Sequence, residues 1–333
     1  MIQFVVGASI LRPSPTTLLR VRVEAFFRVR YNRVSRKQNC GGARSPLLGA
    51  MGSMDRFLIV NADDFGRSEA VNAGVAEAFR KGILTSTSIV ATGPAFASAI
   101  ALVPQLEGLG IGIHLVLDEY QPVLPPSEIT SLVTKSGRFR SRGRQFAKLA
   151  ADPRTRDDAF REWDAQISKV LACGIKPGHI DGHGHCHAHP RVTETVVALA
   201  ERYGIAHVRM PVEPVAWRPE GISAPRFASK LALNFASLRS RRLWRGHLSF
   251  PQYFYGFSDG GRLTGSAVRR IAQAAPPGVS ELMVHVGTSN DEQPGFETGY
   301  DWAGDLGAVT AFDRAAFEKQ FGIRLITHIG WRP

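Results

Sequence analysis

The 333-residue sequence predicts an α/β fold, an irregular TIM-like (β/α) barrel of about seven parallel strands. Two observations predict it. From residue 56 onward short apolar runs alternate with helical patterns, the rhythm of strands joined by crossover helices. The apolar runs also end in carboxylates and imidazoles: "IVN" leads into Asp63 and Asp64, "GIGI" into His114, "GHI" into Asp181 and His183, and "ELMV" into His285. Barrels of this class assemble their sites where strands end. An open doubly wound sheet would gather residues at the same edge, so strand count is what favours the barrel over it.

Taken in order, "RFLIVN" reads as a strand, followed by a helix over about 68–81, the strand "TSIVAT", a helix over about 95–104 and the strand "GIGIHL". A polar, proline-containing stretch covers about 118–152. A helix over about 155–173, the strand "PGHID", a helix over about 190–203 and the strand "AHVRM" come next. Residues 211–264 interrupt the rhythm with a proline-rich loop and a basic helical segment. It resumes with a helix at about 265–275, "ELMVHV", a long loop, a helix at about 311–320 and "IRLITHI". No internal repeat or low-complexity tract is visible.

With 44% hydrophobic and 21% charged residues, the composition is that of an ordinary globular chain. The formal charge of +12 raises a nucleic-acid partner, but residues 1–54 hold nine basic residues against Glu24 alone, leaving about +4 for the rest. No basic stripe interleaved with aromatics follows, so nucleic acid is not expected as a partner. Residues 1–54 are expected to be a disordered basic extension or the product of an upstream start. Met51 and Met54 stand directly before the first core strand; an arginine-rich targeting segment is the other reading. Residues 55–333 are expected to form a single barrel domain. Cys40, Cys173 and Cys186 form no CxxC pair, which suits a reducing, cytoplasmic compartment. The sequence leaves the oligomeric state open, a dimer included.

Residues 179–190, "HIDGHGHCHAHP", hold five of the ten histidines. On one strand the residues His179, Asp181, His183, His185, His187 and His189 would form a row about 30 Å long, too long for one ion. Gly182 and Gly184 disfavour a helix and Pro190 suits the start of one. A strand ending near Asp181, a loop, and a helix from near Pro190 result, with a solvated or adventitiously metal-binding tract as the bland alternative. Asp63 and Asp64 are neighbours, so only a turn or bulge, which Phe65 and Gly66 would supply, lets both approach one centre. One carboxylate could then bind a metal and the other act as a base. With His114 and the "DGHGH" stretch, an Asp and two His can hold a divalent ion and leave positions open for water and substrate.

"LIVNADDFG", "GIHLVL" about fifty residues later and "HIDGHGHCH" further on resemble the YdjC family of carbohydrate deacetylases over roughly residues 55–330. The resemblance implies an irregular (β/α) barrel and one divalent metal, usually magnesium, held by Asp64, His114 and His183, with Asp63 as general base. On ligand chemistry alone zinc or another transition metal fits as well. Asp181 and His179 would orient the residues around the metal, and His185 or His187 would meet substrate or the neighbouring loop. His189 reads as a helix-start residue. Gly182 and Gly184 stand where the family often has a polar residue and a further His, which is expected to loosen the loop.

The residue types suit amide hydrolysis. A metal polarises the carbonyl and acidifies a water, Asp63 takes the proton, and a histidine protonates the departing amine. His285, in "MVHVG" where the family more often reads "HPG", is the candidate acid; His328 reads as structural. The expected substrate is an acetylated amino sugar in an oligosaccharide or glycolipid. "GIHLVLDEYQPVLPPSEITSLVTKSGRF" is similar to the hopanoid-biosynthesis-associated branch of the family, which implies a glucosaminyl lipid. The segment "RFASKLALNFASLRSRRLWR" would suit peripheral membrane contact, and equally a helix packed on the barrel with a basic face outward. An ester or phosphoester hydrolase and a non-catalytic metal- or nucleic-acid-binding protein are the rival readings.

Overall fold

The first strand determines the rest of the sheet. In β1 (Arg56–Phe65) every residue after Arg56 is buried, as expected for a parallel strand covered on both faces. The computed structural model describes residues 55–219, 221–291 and 299–331. The following elements are α1 (Glu69–Lys81), β2 (Ser86–Ile89), α2 (Phe96–Leu102), β3 (Gly110–Leu115), α3 (Arg142–Ala151), α4 (Arg154–Ala172) and β4 (His179–Gly182). Then come α5 (Thr193–Tyr203), β5 (His207–Val208), α6 (Ala224–Trp244), β6 (Tyr253–Tyr255), α7 (Gly265–Ala274), β7 (Gly278–Val284), α8 (Trp302–Thr310), α9 (Arg314–Phe321) and β8 (Arg324–Leu325).

The strands are parallel in the order β5-β4-β3-β2-β1-β7-β6, with β8 paired to the start of β1. The two edges approach each other where Ser249, just ahead of β6, exchanges backbone hydrogen bonds with the β5 segment: Val208 N donates to Ser249 O at 2.9 Å and Ser249 N to Ala206 O at 2.8 Å. The sheet is therefore a curled, irregular barrel rather than a flat open sheet.

Alternation along β1 sets what fills it. Leu58, Val60 and Ala62 join the large apolar core, whereas Phe57 and Ile59 join Val279 and Trp331 in a separate small cluster. Asn61 and Asp63, further along the second face, are also buried. Buried polar residues in β2, β3, β4 and β7 follow them: Ser88, His114, His179, Asp181 and Glu281. Gly112 leaves room for this set, because a Cβ there would come within 2.2 Å of the His179 ring.

Three elements depart from the sequence expectation. α3 lies inside the stretch read as a polar loop; it buries only Gln145 and Leu149, too sparse an apolar stripe to show a helical period. α8 lies in the expected long loop, its two glycines masking it; Asp301 caps it by accepting from Gly304 N. β6 is three residues long within the irregular region. The last strand is shorter than "IRLITHI", because His328–Gly330 turns into a 3₁₀ helix. The expected extension, residues 1–54, lies outside the described residues.

Candidate metal centre and its surroundings

Asp64 is placed by a backbone irregularity. The β1–β2 register shifts between Ala62 and Phe65, and Asp64 itself takes a left-handed φ of 67°. The turn expected at Phe65–Gly66 therefore begins one residue earlier. Its effect is that Asp63 and Asp64, which would diverge on a regular strand, are both buried within one polar cluster.

Ligand-type atoms of Asp64, His114 and His183 lie within 4.8 Å of one another. Asp64 Oδ1 is 3.6 Å from His114 Nε2 and 3.2 Å from His183 Nδ1. His114 Nδ1 donates to Asp181 Oδ1 at 2.8 Å, which turns Nε2 toward Asp64. On the far side of the His183 ring, Nε2 is 3.2 Å from Glu119 Oε2. Against the cost of burial, Asp64, Asp118 and Glu119 push the His183 imidazole up to about 10, and Asp181 raises His114. Asp64 is held well below the usual carboxylate range by His183 and Arg67 despite its burial. Positive charge is thus stabilised between one carboxylate oxygen and two imidazole nitrogens. A divalent ion fits this donor set, with the two rings braced by Asp181 and Glu119.

Asp63 is engaged differently. Arg209 grips both its oxygens at 2.7 and 2.6 Å, and Asn61 Nδ2 donates to it at 2.9 Å. Burial would raise this carboxyl, but Arg209 holds it far below its ordinary value. The same guanidinium contacts Asp181 at 3.0 Å and Glu281 at 2.7 Å, and it is fully buried. His285 follows β7, its backbone N donating to Asp305 Oδ2 at 3.1 Å and its ring 4.7 Å from Tyr300 and 5.7 Å from Trp302. Burial pushes His285 down to about 4, although Asp63 and Asp64 pull the other way.

The remaining histidines separate by packing. His179 stacks on His328 with ring centroids 3.6 Å apart, and its Nε2 is 3.9 Å from Asp181. His187 is fully buried, bonded to the Arg209 carbonyl at 3.1 Å and parallel to Trp244, so it meets the neighbouring loop. His185 takes a φ of 59° and faces Phe254 and Phe257. His189 precedes the helix, which starts at Thr193 rather than near Pro190. Gly182 and Gly184 do not loosen this segment. A Cβ at Gly184 would come within 2.4 Å of Arg142 Nε, and one at Gly182 within 3.0 Å of Cys186 Sγ, so both glycines serve tight packing of a 3₁₀ turn.

Sequence reasoning missed Arg209, Arg67, Glu119, Tyr120 and Arg142. Tyr120 OH donates to Asp64 Oδ1 at 3.0 Å, Arg67 Nη1 lies 3.7 Å from Asp64 Oδ2, and Arg142 pairs with Asp118 and Glu119, each at 2.8 Å. The available signal was "DEY" directly after the strand that ends in "HLVL", and an arginine at the end of the apolar "AHV".

Comparison with known proteins agrees with this architecture. A carbohydrate deacetylase of Geobacillus stearothermophilus is 42% identical over 162 residues, 49% of this chain and 61% of that protein. A chitooligosaccharide deacetylase of Enterobacter sp. (strain 638) is 39% identical over 154 residues, 46% of this chain and 59% of that protein. The aligned region thus spans about three-fifths of these curated relatives. A crystal structure from Enterococcus faecalis V583, described as a proposed cellobiose-phosphate cleavage protein, shares the fold, with a TM-score of 0.63 and 24% identity over 82% of this chain and 98% of that one. The model of the family described as YdjC-like protein matches residues 57–317, from the first core strand into α9, and the chain belongs to that family.

Proposed function

We propose that this protein is a metal-dependent hydrolase that removes the N-acetyl group from an acetylated amino sugar, releasing acetate and a free amine. The observation that carries the reading is the convergence of Asp64, His114 and His183 beside the arginine-clamped Asp63. The names of the aligned deacetylases support the substrate class.

Asp64, His114 and His183 would hold the ion. When bound, it would supply Lewis acidity toward a carbonyl and a lowered pKa for water. Asp63 is the general base. Its clamp by Arg209 makes it a weak but fixed one, suited to a nucleophile that is already acidified. His285 is the acid that protonates the departing amine; neutral at rest, it must first take up a proton, and the two nearby carboxylates favour the imidazolium as it forms. Asp181 orients His114, and His179 braces Asp181 from the barrel interior. His185, at the edge of the cluster beside Phe254 and Phe257, is placed to meet substrate.

Magnesium is the ion that the family resemblance favours, while two imidazoles and a carboxylate suit zinc equally. The "PVLPP" resemblance favours N-acetylglucosamine carried on a lipid over a soluble oligosaccharide. The unpaired cysteines, Cys173 exposed and Cys186 buried, fit a cytoplasmic setting. Residues 1–54 are a dispensable extension of a single catalytic domain.

The test is free-amine release across acetylated sugars and glycolipids, with chelator and with metal restored. Chelator-sensitive release, abolished in His183→Ala and kept in His189→Ala, is expected. Equal loss in both variants, or cleavage of esters without any amide, would overturn the reading.

A further inference from the structure

α6 packs with its amphipathicity reversed. This 21-residue helix buries Lys230, Asn234, Ser237, Ser240 and Trp244, so four of the five buried side chains are polar. Lys230 pairs with the buried Glu213 at 3.1 Å, Asn234 bonds the Glu213 backbone in both directions, and Ser240 donates to the Ala188 carbonyl at 2.9 Å. The opposite face shows solvent Leu231 (40% exposed), Phe235 (62%) and Leu238 (46%), at the i, i+4, i+7 spacing of one stripe. Arg242 continues that stripe by one turn, and Arg239 and Arg245 flank it; all three are exposed, and none forms an ion pair among the described residues. Arg239 lies over the Phe235 ring at 4.9 Å. No Asp or Glu occurs anywhere between residues 221 and 258.

The structure assigns this face to an anionic lipid surface, on which α6 lies in the plane of the interface with Leu231, Phe235 and Leu238 inserted and the arginines among the headgroups. Charge selects this occupant. A second copy meeting the first across the stripe would set arginines against arginines with no carboxylate from either helix. The basic residues of 1–54 carry the same sign and would also be repelled. An anionic bilayer satisfies the cations and the apolar stripe together. α6 is not a membrane span: among the described residues no helix is long and apolar enough to cross a bilayer. Its buried face rests on the segment that carries His183, through Ser240 on Ala188 and Trp244 on His187, so docking would hold the candidate metal centre beside the membrane.

Co-sedimentation of the full chain with vesicles tests this independently of any enzymatic activity. The parent is expected to pellet with phosphatidylglycerol-containing vesicles and far less with pure phosphatidylcholine. Phe235→Asp should weaken partitioning roughly tenfold. The triple reversal Arg239→Glu, Arg242→Glu, Arg245→Glu should weaken it more and remove its salt dependence. Both variants change only exposed side chains and keep the first 54 residues, so an unchanged thermal midpoint ties the loss to this face. Phe235→Trp should bind as the parent does, with a blue-shifted emission on vesicles. The proposal fails if the parent stays in the supernatant or if Phe235→Asp pellets equally. It also fails if the change abolishes a concentration-dependent dimer in the absence of vesicles, which would make a second copy the occupant.

Discussion

Arg209 is the residue on which the barrel interior depends. It is fully buried and pairs with three carboxylates, Asp63, Asp181 and Glu281, drawn from three strands. Taking charges out of water costs several kcal/mol each, recovered here only because every guanidinium edge finds an anion. Arg209→Met would leave three buried carboxylates without their shared counter-charge. We expect a loss of about 3–5 kcal/mol in urea denaturation, with Arg209→Lys intermediate because a point charge cannot replace the fork. Asp63→Asn is the complementary test. It should retain a bound divalent ion, measured by metal content, while amine release falls about 10² to 10⁴-fold. Activity within a few fold of the parent would remove Asp63 from the base role. The DD pair and the His tract were legible as chemistry in the sequence. Arg209 was not, because its partners lie 28 to 146 residues away and nothing local distinguishes it from a solvated arginine.

Among elements, helix-to-loop contacts decide which glycines matter. In α1, a Cβ at Gly74 would come within 2.6 Å of the Gly287 backbone, where the chain leaves β7 after His285. In α8, a Cβ at Gly307 meets nothing within 4 Å. Gly74→Ala should therefore cost about 1–3 kcal/mol, since backbone cannot move aside as a side chain can. Gly307→Ala should be neutral or stabilise by up to about 1 kcal/mol, as helix propensity predicts. Thermal unfolding of the two variants separates the cases, and equal effects would show that propensity alone governs both. From sequence, each is simply a glycine in a helical or loop pattern. The difference lies in how closely the helix approaches the sheet.

At the scale of the whole molecule, Asp305 joins segments that are distant in the chain. Its carboxyl accepts from Leu263 N at 2.8 Å and His285 N at 3.1 Å, and burial pushes it up to about 7 from an ordinary value of 3.8. The folded state therefore holds a proton that the unfolded chain releases. The stability this confers is full below about pH 4 and is lost as pH rises through 7, by on the order of 4 kcal/mol. Asp63 and Asp64 act in the opposite sense and at lower pH: their carboxyls are depressed on folding, and the stability they add is lost as pH falls below about 4. Asp305→Asn should flatten the decline in thermal midpoint between pH 4.5 and 7.5 relative to the parent. A parallel decline in both proteins would remove Asp305 as its source.

The sequence by itself determined the βαβ rhythm, the parallel sheet and the placement of Asp64, His114, His183 and His285 at strand ends. These are consequences of local apolar period and of which residue follows each run. Only the tertiary structure decided that Asp64 adopts a left-handed backbone, that His187 packs against Trp244 while His183 faces Asp64, and that Glu119, Tyr120 and Arg142 surround the cluster. It also decided that α6 turns its serines inward and its leucines outward. Each of these depends on which surfaces meet after the sheet curls. A pairing between residues dozens or hundreds of positions apart leaves no periodic trace in a single chain, because the free energy that selects it comes from burial and charge shared across the barrel.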